Sequence, residues 1–187
     1  MHQNRNSLRS INMIKSAFLE ILKNKNISKI TVKEVTDLAN LTRNTFYAHF
    51  VDVYAVNESI ENEVIAKTIE LMNKMSCEAL FDNTLLFFKE IMRYIDENKI
   101  MVRALLENGT AATFINKYST TIIEYVLNNI SSIKVSDKKG FESFLNILFT
   151  GSVFLIKQYL EGKSSLSIEE IAITLNNIFV HCYELYI

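Results

Sequence analysis

The sequence predicts an all-α fold on the basis of three observations. It has no proline and only four glycines in 187 residues, so few positions interrupt a helix. Apolar residues recur three and four positions apart through most of the chain, as they do on one face of a helix. Thr31 and Ser167 are each followed three positions later by a glutamate, which is a pattern that marks the start of a helix.

Composition and charge are those of a soluble protein with an uneven charge distribution. Hydrophobic residues make up 49% of the chain and charged residues 22%. Residues 1–50 contain eight basic and three acidic residues, a net charge of +5, so the remainder carries −6 of the total of −1. A basic N-terminal part suits a nucleic-acid partner. No uninterrupted apolar run has the length of a membrane span, which is about 18 residues, and the first residues lack the apolar core of a signal peptide. We therefore expect a cytoplasmic protein with no membrane partner.

The first helix is predicted over about residues 7–24. An apolar stripe on this segment would cover the helices that follow: Leu8, Ile11, Ile14, Ala17, Phe18, Ile21 and Leu22. Arg5 and Arg9 stand at its start. They are either contacts to DNA phosphate or a minor groove, or ordinary solvated arginines.

The segment from Thr31 to Phe50 predicts two short helices joined by a tight turn. Thr31 and Glu34 have the spacing of a capping box. Asn40 tolerates the left-handed backbone that such a turn requires. Thr42 can cap the second helix, because its hydroxyl can accept a hydrogen bond from a backbone N–H two or three residues later.

The second of these helices has the side chains that a DNA-reading helix needs. Phe46 and Phe50, four positions apart, are expected to point inward together with Leu41. Polar groups remain on the other faces: Arg43, Asn44, Thr45, Tyr47 and His49. Arginine can pair bidentately with guanine and asparagine with adenine, while tyrosine, threonine and histidine suit phosphate.

This segment, TRNTFYAHF, resembles the recognition helix of the TetR/AcrR family of bacterial transcription regulators. The resemblance implies a helix-turn-helix DNA-binding domain at residues 1–51 and a helical effector-binding and dimerisation domain at residues 52–187. It assigns DNA contacts to a set around the two short helices: Thr31, Lys33, Thr42, Arg43, Asn44, Thr45, Tyr47 and His49. The family lysine that approaches phosphate at the start of the next helix is here Val53. We expect that loss to weaken DNA binding and its salt dependence slightly.

Helical patterns continue through the rest of the chain. Asp52 can cap a long helix, and Gly109 can end a short one. The last two helices are predicted at about 137–161, stopped by Gly162, and at about 167–186. Both are strongly apolar, and in the family the equivalent pair forms a four-helix bundle with a second copy. The resemblance therefore implies a homodimer through these helices that binds a palindromic operator, unless both helices are simply intramolecular core.

Aromatic residues and methionines are frequent in the C-terminal part, and two interpretations remain open. In the family such residues often line a cavity for a small apolar effector, but at helical spacing most are core. A protein co-regulator is an alternative to a small effector. Repression is the usual outcome in the family, and activation is the variant.

No pattern in the sequence indicates catalysis. The three histidines, His2, His49 and His181, lie far apart in the sequence and have no metal-binding partner at helical spacing, and no glycine-rich phosphate loop occurs. We therefore expect a DNA-binding regulator that is not an enzyme and that needs no cofactor and no metal. The alternative is a helical ligand carrier or small enzyme that does not bind DNA.

Overall fold

The computed structural model describes residues 2–74, 83–129 and 135–186, with side chains from residue 5 onward. Within these ranges the chain forms nine α-helices and a short 3-10 helix at Ile27–Lys29, and no strand, which confirms the all-α prediction. The helices are α1 His2–Leu22, α2 Val32–Ala39, α3 Arg43–Tyr47, α4 Val53–Asn73, α5 Thr84–Glu97, α6 Lys99–Glu107, α7 Ala111–Asn129, α8 Lys138–Leu160 and α9 Ile168–Tyr183.

The chain divides into two compact units that do not follow the order of the sequence. The first contains residues 1–64 and 100–114, and the second contains residues 65–99 and 115–187. The domain limits predicted from the motif, 1–51 and 52–187, stay a prediction. The contacts add the first part of α4 and the segment 100–114 to the N-terminal helices, because those segments bury apolar side chains such as Val56 and Leu105.

In the first unit, α1 packs on α2 and α3 around fully buried side chains. Ile14, Phe18, Val35 and Phe46 have no exposed surface. The prediction for α1 was wrong at both ends, and Leu8 is 55% exposed and therefore outside the core. Leu8 is exposed because α2 and α3 are short and cover α1 fully only from Ile14 onward.

A buried polar network links α4 to the turn between α6 and α7, within the first unit. The Asn57 side-chain amide donates to Glu61 at 2.6 Å and to the Thr110 hydroxyl at 3.2 Å. The side-chain oxygen of Asn108 accepts from the Thr110 backbone N–H and from its hydroxyl, both at 2.6 Å. Asn57 and Glu61 are almost completely buried, so these bonds replace the water that both side chains lose.

Gly109 does not form the predicted C-cap. Its backbone is not left-handed; among the described glycines that conformation belongs to Gly162, with φ 70°. A β-carbon at Gly109 would lie 3.0 Å from the Asn26 side-chain nitrogen. The glycine therefore permits a close approach between the α6–α7 turn and the loop before the 3-10 helix.

In the second unit, α9 packs on α5 and α8 around an aromatic core of Phe141, Phe144 and Phe179. The predicted helix starts are confirmed. Asp137 caps α8 by accepting from the Gly140 N–H at 3.0 Å, and Ser167 forms a capping box at α9. Gly162 follows the end of α8, as predicted.

Several of the aromatic residues of the C-terminal part lie in a second cluster of this unit. Phe87, Tyr118 and Tyr125 pack around Ile65, Met72 and Ile122, so they form core contacts. The Tyr118 hydroxyl lies 2.8 Å from the Thr68 hydroxyl, and burial raises the pKa of Tyr118 to about 12.

Helix α8 has the length and composition of a membrane span, with a mean hydropathy of 1.2 over its most apolar 18 residues. The sequence has no uninterrupted run of that length because Asn146, Thr150 and Ser152 divide it. An apolar helix of a soluble protein meets the same criterion. The exposed side of this helix carries Ile147 and Phe154, which are 72% and 61% exposed.

Candidate nucleic-acid interface

Helix α2 begins at the predicted capping box. The Thr31 hydroxyl accepts from the Glu34 N–H at 3.3 Å, and the Glu34 carboxylate accepts from the Thr31 N–H at 2.9 Å and from its hydroxyl at 2.8 Å. The Lys25 ammonium lies 2.5 Å from the same carboxylate. Hydrogen bonds from Lys25, and then from Thr31, lower the pKa of Glu34 to about 2.

These bonds bear on the two predicted phosphate contacts at this end of α2. The Thr31 hydroxyl proton is already donated to Glu34, so a phosphate contact through that proton requires the bond to break. Lys33 is exposed in the first turn of α2, and no acidic side chain of the described residues pairs with it. Lys33 is therefore the more available cation.

Asn40 forms the turn between α2 and α3. Its backbone is left-handed, with φ 52° and ψ 47°, as predicted from the tolerance of asparagine for this conformation. The Leu41 N–H donates to the Thr36 carbonyl at 3.0 Å, which closes the end of α2. The turn brings Thr42 to the start of α3.

Helix α3 is short and is held by one buried ring. Thr42 caps it by accepting from the Thr45 N–H at 3.1 Å, which confirms the predicted start. Phe46 is fully buried, whereas Phe50 is only partly buried, with its ring centroid 6.0 Å from that of Phe46. The inward role predicted for both aromatics therefore belongs mainly to Phe46.

The outward side chains of α3 differ in how available they are. Arg43 and Asn44 are exposed, and neither side chain has a hydrogen-bond or ionic partner within the described ranges. The hydroxyls of Thr42 and Thr45 lie 2.9 Å apart and bond to each other. Arg43 and Asn44 are therefore the groups with unused donors and acceptors.

Tyr47 and His49 lie at the end of this helix. Tyr47 is 57% exposed, and its ring contacts Phe46 edge-on at a centroid distance of 5.6 Å. This contact restrains a ring that stays more than half exposed. His49 follows α3 and is partly buried.

Val53, which stands where the resembled family has a lysine, lies at the start of α4. Asp52 accepts from the Ala55 N–H at 2.8 Å, so it caps the helix as predicted. Val53 is only 6% exposed and belongs to the core of the first unit. The flanking Val51 and Tyr54 are 79% and 47% exposed, which the sequence pattern did not indicate.

The sequence also missed a groove beside α2. Arg5, Leu8, Arg9 and Asn12 of α1 line it together with Leu38 of α2. The only available sequence signal was the spacing of Arg5 and Arg9, four residues apart, which puts them on the same face of a helix.

Taken together, α2 and α3 place an exposed guanidinium, an amide and a phenol on one short, rigidly anchored segment. No group of histidine, cysteine and carboxylate side chains that could hold a metal ion occurs in the described parts of the chain. This arrangement offers hydrogen-bond donors and acceptors to a large polar partner.

A family model described as "Transcriptional regulator C-terminal region", of the TetR type, matches residues 82–181, which is more than half of the chain. The chain belongs to the TetR family of transcriptional regulators. The resemblance seen in the N-terminal motif is thus supported by a match to the other part of the chain.

Solved structures of TetR regulators share this fold along nearly the whole chain. A TetR transcriptional regulator from Streptococcus agalactiae is 18% identical, with a TM-score of 0.66, and the match covers 95% of this chain and 97% of that chain. The dihydroxyacetone kinase operon activator DhaS is 17% identical, with a TM-score of 0.64 and the same coverage. The comparison with curated proteins finds no match. Identities this low show the fold alone, so the roles of individual residues rest on the geometry of this TetR protein.

Proposed function

We propose that the protein is a DNA-binding transcriptional regulator that binds a palindromic operator as a homodimer, with repression as the expected outcome. The observation that carries this proposal is the exposed pair Arg43 and Asn44, which bonds to no described residue, on a helix anchored by the fully buried Phe46. Membership of a family of transcriptional regulators supports it.

Base reading is assigned to Arg43 and Asn44. A guanidinium can donate two hydrogen bonds to guanine, and a side-chain amide can pair bidentately with adenine. Neither side chain has to break a bond to a described residue before it meets a base. A rigid α3 reduces the conformational entropy that is lost on binding.

Backbone contacts are assigned to the surrounding polar groups. Lys33 supplies a positive charge, and Tyr47 supplies a hydroxyl on a ring fixed by Phe46. Thr31, Thr42, Thr45 and His49 complete the proposed set. Such contacts set the position of the protein on the duplex and carry no base information.

Dimerisation is assigned to α8 and α9, within the predicted ranges 137–161 and 167–186. Ile147, Gly151 and Phe154 are spaced four and three positions apart, so they share one face of α8, and both apolar side chains are largely exposed. A β-carbon at Gly151 would contact nothing within 4 Å. A small residue between two exposed apolar ones lets another helix approach closely, and a second copy doubles the DNA site.

Regulation is assigned to the second unit. An apolar effector or a protein co-regulator that binds it would alter how well two DNA-binding units match two half-sites. One relative with the same fold is described as an operon activator, so activation stands beside repression as a specific alternative. A cytoplasmic location accords with either outcome.

The competing function is a ligand carrier or small enzyme that does not bind DNA. It gives no role to the exposed Arg43 and Asn44, whose side chains bond to no residue that the structure describes, or to the exposed Tyr47. We therefore favour the regulator.

Selection from random duplex DNA followed by fluorescence anisotropy tests the proposal. We expect a palindromic site whose half-sites lie about one helical turn apart, with salt-dependent binding. No retained DNA at low or moderate salt, with or without cell extract, would favour the carrier.

Arg43→Ala, with Arg93→Ala as the matched control, tests the base-reading role. Arg43→Ala should cost about 1–3 kcal/mol on the operator and relax the preference at one base position. Arg93 is an exposed arginine of the second unit that pairs with Glu90, and its loss should leave operator binding unchanged. An equal loss on operator and random DNA for Arg43→Ala would remove the base-reading role.

A further inference from the structure

The groove between α1 and α2 is a second candidate surface in the first unit. Arg5, Leu8, Arg9 and Asn12 line its α1 side, and Leu38 and Ala39 line its α2 side. Leu38 and Ala39 immediately precede Asn40, which turns the chain into α3. The groove therefore runs along α1 beside the end of α2 that leads to the proposed recognition helix.

The α1 side of this groove carries two positive charges. Arg5 and Arg9 are both exposed, and no acidic side chain in the described part of the chain pairs with either guanidinium. The acidic lining residue, Glu20, lies further along α1 and pairs with Lys23 at 2.5 Å. The groove is thus suited to a negatively charged partner at the end that Arg5 and Arg9 line.

Two exposed leucines line the same groove as these charges. Leu8 is 55% exposed and Leu38 is 54% exposed, on the two sides of the groove. An apolar surface alone would suit a protein partner. Two guanidinium groups without carboxylate partners favour a polyanion, and the sugars between phosphates offer the leucines apolar contacts.

We propose that Arg5 and Arg9 bind the phosphate backbone of the same DNA duplex that α3 reads, with Leu8 and Leu38 against its sugars. This inference rests on the proposed DNA-binding function and extends it to a surface outside the helix-turn-helix.

The test compares Arg5→Ala/Arg9→Ala with Arg93→Ala/Lys163→Ala in the full-length protein. Both double variants remove two exposed positive charges, the second pair from the other unit. Binding to the selected operator and to random duplex is measured by anisotropy from 50 to 200 mM salt. Circular dichroism melts establish that both variants fold.

We expect Arg5→Ala/Arg9→Ala to reduce the slope of log K against log salt by about 0.9 for each lost contact. Two contacts per protomer are four per dimer, which amounts to a roughly hundredfold smaller loss of affinity between those salt concentrations. The reduction should be equal on operator and random DNA, and Arg5→Lys/Arg9→Lys should retain most of the slope. The control pair should keep the wild-type slope.

An unchanged slope for Arg5→Ala/Arg9→Ala, with operator binding retained, overturns this inference and leaves the proposed function standing. A loss that depends on A·T content also overturns it, because it would indicate minor-groove reading instead of backbone contact. Wild-type protein that binds no DNA overturns both proposals.

Discussion

The exposed surfaces of α3 and α8 differ in chemistry although both lie on buried aromatic residues. Around Phe46, α3 exposes Arg43 and Asn44, which are polar. Beyond Phe144, α8 exposes Ile147 and Phe154, which are apolar. The two surfaces therefore suit different partners. The polar side chains of α3 suit DNA, and the apolar side chains of α8 suit a second protein chain.

The largest expected effect is the loss of stability when the buried Phe46 is replaced, compared with the exposed Val51. Phe46→Ala should lower the free energy of unfolding by about 3–5 kcal/mol, because it removes a fully buried ring from the first unit. Val51→Ala, at a position 79% exposed, is the control and should change it little. Urea unfolding measures both. Equal stability of the two variants would mean that Phe46 does not anchor α3.

The next effect concerns the apolar surface of α8. Ile147→Glu/Phe154→Glu should weaken self-association by about 2 kcal/mol or more, because it places charges where apolar anchors are proposed. Asn146→Glu adds a charge to the same helix about a quarter turn away and should leave association intact. Sedimentation equilibrium measures the dimer constant. If both variants associate like wild type, the dimer does not use this face.

A smaller effect is expected at the polar surface of α3. Tyr47→Phe should weaken DNA binding by about 1–2 kcal/mol through loss of one hydrogen bond to phosphate. Because phosphate carries no base information, the loss should be similar on operators with single base changes. Competition anisotropy on such a set measures it. A loss limited to one base position would contradict the phosphate role.

The smallest expected effect is the pH-dependent stabilisation by the capping-box glutamates of the two units, Glu34 and Glu170. Hydrogen bonds from Lys25, and then from Thr31, lower the pKa of Glu34 to about 2, and hydrogen bonds from Ser167 lower the pKa of Glu170. Each group therefore stabilises the fold above the ordinary glutamate pKa of 4.5, and this stabilisation is lost as the pH falls toward the folded-state value.

Glu34→Gln should lower the melting temperature at pH 7, and the difference from wild type should shrink as the pH approaches 2. Glu170→Gln should also lower the melting temperature at pH 7, but by less, because Ser167 alone lowers the pKa of Glu170 whereas Lys25 also pairs with Glu34. Melting curves at several pH values measure both. A constant difference across pH would show that the charge of Glu34 does not matter.

Local chemistry made much of the candidate site predictable. The cap at Thr31, the left-handed Asn40 and the cap at Thr42 depend on neighbouring residues, so the sequence determined them and the structure confirms them. The buried role of Phe46 follows from helical spacing for the same reason. The sequence also determined the all-α fold, since little in the chain interrupts a helix.

Only the tertiary structure decided which surfaces stay exposed and which distant segments meet. Leu8 has the spacing of a core residue, but it is exposed because it lines an open groove beside α2. Gly109 has the position of a C-cap, but it serves a close approach to Asn26. Periodicity records which side chains share a face of a helix, whereas burial depends on the length and position of the helices packed against that face.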